Sequence, residues 1–294
     1  MRTLIGILVA LVGSIAGLLL LWYGGGNIVM QLGRFGTEGA GIFPAFAVAG
    51  CLLLAAAAAS VRWSRAGVIV VGAGHVVFSL VAVLVPYLPF EGVASPAIQL
   101  LNELMGVDQG LAVGAVYFIS FGGGLLVGAA MLAVGFLARG SRPSVLWRVL
   151  SAVGGVLALG PALWAVAAGG DFYRSTFQIM QWNPVVSTVL VVAALLFGVL
   201  LAPSGRSATG AWITGGVLAL VGVILLVIDP VAFAGLPTAI TTTLPVVGWS
   251  GTLLAVGASA LGLALGITLR PASSPEPQPA APWISPQETA PDSV

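Results

Sequence analysis

The sequence contains no lysine, and its ten arginines and nine acidic residues make up only 6% of its 294 residues. Soluble domains carry about 25% charged residues, because charged side chains cover the surface that faces water. With 59% hydrophobic residues and a mean hydropathy of +1.12, this composition excludes a water-soluble globule. The net charge of +1 supplies no basic patch for a polyanion, so we expect no nucleic-acid partner.

Cysteine and histidine are each present once, as Cys51 and His75. A single cysteine excludes an intrachain disulfide and a cysteine-based metal centre. Proton and ion pathways in membranes usually depend on ionisable side chains inside the spans, and here His75 is the only candidate. We therefore expect no cofactor, no metal and no enzymatic activity.

Apolar runs of about 20 residues are the dominant feature of the chain, and such runs predict transmembrane helices because the bilayer leaves no other partner for backbone amides. Eight runs meet this description. They lie near residues 4–23, 42–61, 67–88, 111–137, 149–168, 185–202, 210–228 and 250–269. The sequence thus predicts an all-α polytopic membrane protein with eight transmembrane helices, embedded in the lipid bilayer.

The distribution of arginine predicts the orientation. If the N-terminus is cytoplasmic, eight arginines lie on the cytoplasmic side and only Arg34 and Arg174 lie outside, which agrees with the positive-inside rule. An odd number of spans would destroy this bias. We expect a multi-pass protein of the cytoplasmic cell membrane with both termini in the cytoplasm.

Internal similarity predicts two parallel four-helix repeats, residues 1–139 and 147–270, joined by a cytoplasmic linker at 140–146. Val127–Leu132 in the fourth run reads VGAAML, and Val256–Leu261 in the eighth reads VGASAL. Because each unit has an even number of spans, both enter the membrane from the same side, related by an axis along the membrane normal.

Small residues are expected to hold the bundle together, since lipid removes the hydrophobic drive between helices and leaves close packing to stabilise them. The fourth and eighth runs carry Gly-x-x-x-Gly pairs as well as the clearest repeat match. The glycines assigned to helix packing are Gly124, Gly128, Gly257 and Gly262.

Polar segments outside the runs suggest contacts with a partner. Pro271–Val294 holds seven prolines in 24 residues, which predicts a disordered cytoplasmic tail, and Trp283–Ile284 is an apolar pair within it. Residues 97–105 predict a short amphipathic helix at the outer interface, and 236–247 a weaker counterpart. A membrane-protein partner could bind the tail or the outer loops.

Three side chains are the candidates for a substrate or partner site. His75, in the third run, either bonds a neighbouring helix or forms a proton or substrate site. Arg34 and Arg174 occupy the first outer loop of each repeat, where they could together hold a carboxylate or another anion. Alternatively, they form loop salt bridges with Glu38 and Asp171.

A short motif, Gly248–Gly251, matches the G-x-S-G pattern around the nucleophile of rhomboid-type intramembrane proteases. A serine nucleophile needs a histidine within hydrogen-bond reach, and we expect Ser250 at a span end but His75 near mid-membrane. The motif therefore indicates a cap on the eighth span rather than a protease.

Three classes of function remain. The first is a non-enzymatic accessory or assembly component of the cell envelope, favoured by the lack of an ionisable pathway and by the tail. The alternative is a transporter, or a transporter subunit, for a small neutral or anionic solute, because repeat interfaces often contain substrate sites. A membrane-embedded enzyme is the third class, and the carboxylates and histidines that it would need are missing.

Overall fold

The computed structural model describes residues 2–35, 41–84, 96–138, 143–179, 181–228 and 238–270. All regular structure in these ranges is helical. The eleven α-helices are α1 (Arg2–Phe35), α2 (Phe43–Ala59), α3 (Arg65–Leu84), α4 (Pro96–Val107), α5 (Gln109–Ser120), α6 (Gly123–Leu137), α7 (Val145–Tyr173), α8 (Pro184–Leu201), α9 (Thr209–Val227), α10 (Thr238–Trp249) and α11 (Thr252–Thr268). The predicted tail, 271–294, lies outside the described residues.

Length and hydropathy identify the helices that can cross a membrane. In the described part of the chain six single helices qualify, and two bent pairs, α5–α6 and α10–α11, raise the number to as many as eight. The prediction of an all-helical membrane protein is thus confirmed. The predicted span at 4–23 ends too early, because α1 continues unbroken to Phe35.

The predicted spans at 111–137 and 250–269 are not simple straight helices. The chain bends by 60° between α5 and α6, and by 50° between Thr243–Trp249, the second half of α10, and α11. At the two breaks, Gly122 has φ +71° and Gly251 has φ +70°, a left-handed conformation that only glycine adopts without strain. Each break therefore depends on its glycine.

The short helix predicted at 97–105 is confirmed as α4, and its counterpart as α10. Helix α4 extends two residues beyond the predicted range, through Gly106 to Val107. The next helix begins at once, because the Asp108 carboxylate accepts a 2.8 Å hydrogen bond from the Leu111 amide and so caps α5.

The helices form one bundle with α6 and α11 at its centre. Helix α1 packs on α2, α3 and α5, while α7 packs on α8 and α9. Helix α6 contacts α3, α8 and α11, and α11 contacts α9, α2 and α6. Ten of the 15 residues of α6 and 13 of the 17 residues of α11 are buried, so these two helices are the most enclosed part of the core.

Arginines gather at the end of the bundle where α6 and α11 finish. Arg65 Nη1 and Arg270 Nη1 both donate to the Ala138 carbonyl oxygen, at 3.3 and 3.2 Å, which satisfies an otherwise unpaired acceptor after α6. Partial burial and the neighbouring Arg65 guanidinium lower the pKa of Arg270. We call this the arginine end of the bundle.

Candidate functional site

The His75 side chain makes a hydrogen bond between two helices. Its Nε2 lies 2.8 Å from the Ser14 hydroxyl oxygen of α1, and both side chains are at least 93% buried. Each residue sits near the middle of its helix, far from the polar ends. A neutral histidine and a serine satisfy each other in this position, so neither is left as an unpaired polar group in the apolar interior.

A cavity of about 430 Å³ lies beside this pair, with walls from α1, α3 and α4. Three helices contribute to the lining. The α1 wall includes Leu11, Ser14, Leu18 and Trp22, the α3 wall includes Val71, Gly74, His75 and Phe78, and α4 contributes Leu100. Its volume lies within the range of small-molecule sites, about 300–1,000 Å³. The site lies to one side of the bundle, because neither α6 nor α11 contributes to its lining.

The four glycines assigned to packing all lie at crossings between helices. A Cβ added at Gly124 would meet the Ser79 hydroxyl, and one at Gly128 would lie 2.7 Å from the Gly72 carbonyl oxygen of α3. A Cβ at Gly257 would meet the Ala219 amide of α9, and one at Gly262 the Ala55 carbonyl oxygen of α2. Backbone thus contacts backbone around α6 and α11, as close packing of membrane helices requires.

The prediction that Arg174 lies in an outer loop is wrong, because it begins a five-residue π-helical segment, Arg174–Gln178, that continues α7. Its exposed side chain lines a second cavity of about 230 Å³, together with Tyr117, Phe121, Gly170, Tyr173, Gln178, Thr243 and Val246. The Tyr117 hydroxyl donates to the Tyr173 hydroxyl at 3.1 Å in its wall. The alternative of a salt bridge to Asp171 is not realised in the described part of the chain. This cavity is smaller and more polar than the one beside His75.

Arg34 does not lie in a loop, as the sequence suggested, but in the last turn of α1. Its side chain and Glu38 lie outside the described residues. The arrangement of two arginines around one anion therefore stays a prediction.

Ser250 and His75 do not form a catalytic pair. The Ser250 hydroxyl bonds the Val247 carbonyl oxygen at 3.0 Å and the Thr252 hydroxyl at 2.9 Å, while His75 bonds Ser14. The expectation that Ser250 caps the last helix is wrong, since Gly251 occupies the N-cap position. The left-handed turn at Gly251, rather than protease chemistry, accounts for a glycine in this motif.

Sequence reasoning missed three members of these sites: Ser14, Tyr117 and Tyr173. None of the three belongs to a recognisable motif, and the role of each depends on a partner 56 or 61 positions away. The spacing along the helix offered the only clue to Ser14. It lies one turn from both Leu11 and Leu18, so the three residues share one face of α1.

We expect Ser14→Ala to reduce the free energy of unfolding by about 0.5–2 kcal/mol, because it leaves the buried His75 ring without its partner. Denaturation in mixed micelles of a mild detergent and SDS measures the change. The double variant Ser14→Ala/His75→Leu removes both polar groups, so it is expected to recover part of the loss. Equal losses in the single and double variants would show that the hydrogen bond contributes nothing.

Within the described ranges, no group of three histidine, cysteine or acidic side chains is placed to hold a metal ion. The two cavities therefore offer hydrogen bonds, one guanidinium and apolar walls as their chemistry.

In comparisons with known proteins, no protein-family model matches this chain, and no curated protein or solved structure is significantly similar to it.

Proposed function

We propose that the chain consists of two parallel four-span repeats, with α1, α2, α3 and α5–α6 in 1–139 and α7, α8, α9 and α10–α11 in 147–270. The positions of the two left-handed glycines support this division. Gly122 and Gly251 are 129 residues apart (251 − 122), and so are Val127 and Val256, which begin the similar motifs. Eight spans follow if each bent pair crosses the membrane once.

Matching glycine contacts give the proposal independent support. A Cβ at Gly72 of α3 would lie 3.0 Å from both the Gly128 carbonyl oxygen and the Leu132 amide of α6. A Cβ at Gly215 of α9 would lie 2.9 and 2.7 Å from the corresponding atoms of α11, in Gly257 and Leu261. Low-complexity sequence can repeat a motif by chance, but a shared three-dimensional crossing is a stricter criterion.

The arginine end supports the proposed orientation, with both termini on the cytoplasmic side of the cell membrane. In the described part of the chain, five arginines lie at or beside helix ends on this side of the bundle: Arg62, Arg65, Arg148, Arg206 and Arg270. Arg174 lies at the opposite end, after α7. This arrangement agrees with the positive-inside rule.

We propose that the protein is a non-enzymatic accessory or assembly component of the cell envelope rather than a solute carrier. The enclosed centre is the observation that carries this proposal, because α6 and α11 fill the axis of the bundle mainly with glycine, alanine, leucine and valine residues. An aqueous pathway needs polar groups to replace the hydration of its solute. The outer loops and the tail at 271–294 remain the proposed partner-binding segments.

Reconstitution of the full chain in sealed vesicles tests this proposal. We expect small ions, carboxylates and sugars to cross at the rate measured in protein-free vesicles. Cross-linking in native membranes should instead join the chain to a stoichiometric partner protein, less efficiently in a Trp283→Ala/Ile284→Ala variant if the tail contributes. Saturable solute flux would contradict the accessory role.

A specific observation favours the second candidate, a transporter or transporter subunit for a small anionic solute. The Arg174 guanidinium and two tyrosine hydroxyls line one cavity between α5, α7 and α10, which the proposed repeats place at the interface of the two halves. A guanidinium with free donors pairs well with a carboxylate.

If the second cavity binds carboxylates, succinate should raise the thermal midpoint of the wild-type protein in detergent. Arg174→Gln should weaken this binding about 10- to 100-fold, because a hydrogen bond to a charged group is lost. Arg148→Gln, at an exposed arginine of the other end, is the matched control and should bind succinate normally. A midpoint that does not respond to succinate in any of the three proteins would exclude the carboxylate site.

A further inference from the structure

The cavity beside His75 is long and narrow. Its α1 wall runs from Leu11 to Trp22, eleven residues apart, which corresponds to about 16 Å along a helix. A volume of about 430 Å³ open to atom centres, spread over this length, gives a cross-section of about 27 Å² and, with about 1.4 Å added at each wall, a width of about 9 Å. The cavity is therefore narrower than an α-helix, whose diameter with side chains is about 10 Å.

The lining offers almost nothing to a polar ligand. Most of its residues are leucine, isoleucine, valine, tryptophan and phenylalanine. The two polar members, Ser14 and His75, are bonded to each other and at least 93% buried. An apolar cavity of this kind stays free of water even when it is large enough to hold several molecules.

The cavity opens sideways, toward the outside of the bundle. Ile15 and Leu19 of α1 are 59% and 43% exposed, and Val70 of α3 is 50% exposed. Gly74, on the same side of α3, is also exposed, and no atom lies within 4 Å of where its Cβ would be. In a protein that spans a membrane, the outside of the bundle at this depth is hydrocarbon.

We propose that this cavity is a binding site for one acyl chain of a bilayer phospholipid. A cavity of 150 Å³ holds a benzene ring of six carbons, so by proportion about 430 Å³ holds on the order of 17 carbon atoms, comparable to one such chain. The bound chain packs against α1, α3 and Leu100 of α4. It fills a void that would otherwise leave those side chains without van der Waals partners.

The narrow shape decides between a lipid chain and a helix of a partner protein. A partner helix could insert one side chain, but a whole helix, about 10–12 Å across with its side chains, could not enter a channel about 9 Å wide. A flexible acyl chain follows the channel along its whole length. The proposal rests on the membrane placement of the chain and is independent of whether the protein is an accessory component or a carrier.

Photo-crosslinking tests the site directly. The full chain is reconstituted in phosphatidylcholine vesicles that contain a small fraction of a phospholipid with a diazirine in one acyl chain, and the labelled peptides are identified by mass spectrometry. We expect the strongest labelling on residues 11–22 and 70–78. Gly74→Leu should reduce this labelling at least 5-fold, because the new side chain extends into the channel from a Cβ that has no protein atom within 4 Å.

Gly216→Leu is the matched control. Gly216 lies in the middle of α9, and no atom lies within 4 Å of its Cβ position either. This variant should be labelled at 11–22 and 70–78 as strongly as the wild-type protein. Equal labelling of these residues in the Gly74→Leu and Gly216→Leu variants would overturn the proposal.

Two further outcomes separate this inference from the proposed function. Uniform labelling of all outward helix faces, with no preference for 11–22 and 70–78, would overturn the acyl-chain site but leave the membrane placement intact. Labelling of no helix at all would overturn the membrane placement itself.

Thermal midpoints of both glycine variants in detergent verify that they fold. Delipidation should lower the midpoint of Gly74→Leu less than that of the wild-type protein.

Discussion

Replacing Gly257 with leucine is expected to destabilise the fold by about 3 kcal/mol or more, at the upper end of the cost of overpacking. A Cβ at this position would meet the Ala219 amide and lie 2.8 Å from the Leu218 carbonyl carbon. These atoms belong to the backbone of α9, which cannot rotate away as a side chain can. The two helices must separate along their length, so the loss extends to neighbouring contacts.

Gly128→Leu should have a similar effect on the other side of the centre. Its Cβ would lie 2.7 Å from the Gly72 carbonyl oxygen and 2.9 Å from the His75 Cβ of α3. The measurement is the midpoint of SDS-induced unfolding in mixed micelles, with monodisperse yield as a second readout. We expect both variants to be poorly recovered or to unfold at clearly lower SDS.

Gly216→Leu serves again as the control, since it adds the same side chain to α9 where no atom lies within 4 Å. Leucine also favours a helix over glycine by up to about 1 kcal/mol. The control should therefore be as stable as the wild-type protein or slightly more so. Wild-type stability of Gly257→Leu and Gly128→Leu would mean that these crossings are not closely packed.

The double variant Gly122→Ala/Gly251→Ala is expected to lose about 2–4 kcal/mol, because each alanine must adopt a left-handed conformation that costs about 1–2 kcal/mol. At Gly122 the cost is conformational alone, since the nearest atoms to a new Cβ are 3.5 and 3.6 Å away. At Gly251 a new Cβ would also lie 2.7 Å from the Leu21 Cδ1, a flexible side-chain end. The two sites share no neighbour, so their effects should add.

Gly216→Ala, inside a regular helix, is the appropriate control for this second prediction. There the same substitution should stabilise the protein, because alanine is the better helix former. Chemical denaturation of the single and double variants gives the three differences. A double variant as stable as the wild-type protein would show that the 60° and 50° bends do not need a left-handed residue.

Hydropathy and helical period were sufficient to predict most of the fold. The bilayer forces every long apolar run to be a helix, so Phe43–Ala59, Pro184–Leu201 and Thr209–Val227 could be placed within a few residues. The end of α1 was missed because the predicted span stops at residue 23, before Gly24–Gly26, whereas packing keeps these glycines helical. Gly26 approaches the Gly110 carbonyl oxygen of α5, a contact that no local rule anticipates.

The candidate site was only partly predictable. His75 was noticeable because it is the sole histidine, but nothing near it in the chain pointed to Ser14, 61 residues away, as its partner. The breaks at Gly122 and Gly251 were hidden among 41 glycines, since the sign of φ depends on how the flanking helices pack. The second cavity joins α5, α7 and α10, which are far apart in sequence.

The sequence by itself determined the class of molecule, because a chain with 6% charged residues and long apolar runs has no stable alternative to membrane helices. It also determined where the few charges lie along that chain, and hence the proposed orientation. Only the tertiary structure decided which faces meet: it closed the centre around α6 and α11 and left a narrow lateral channel beside Ser14 and His75. The physical reason is that hydrophobicity separates lipid from water but does not distinguish one apolar helix face from another, a choice made by close packing of glycine and alanine.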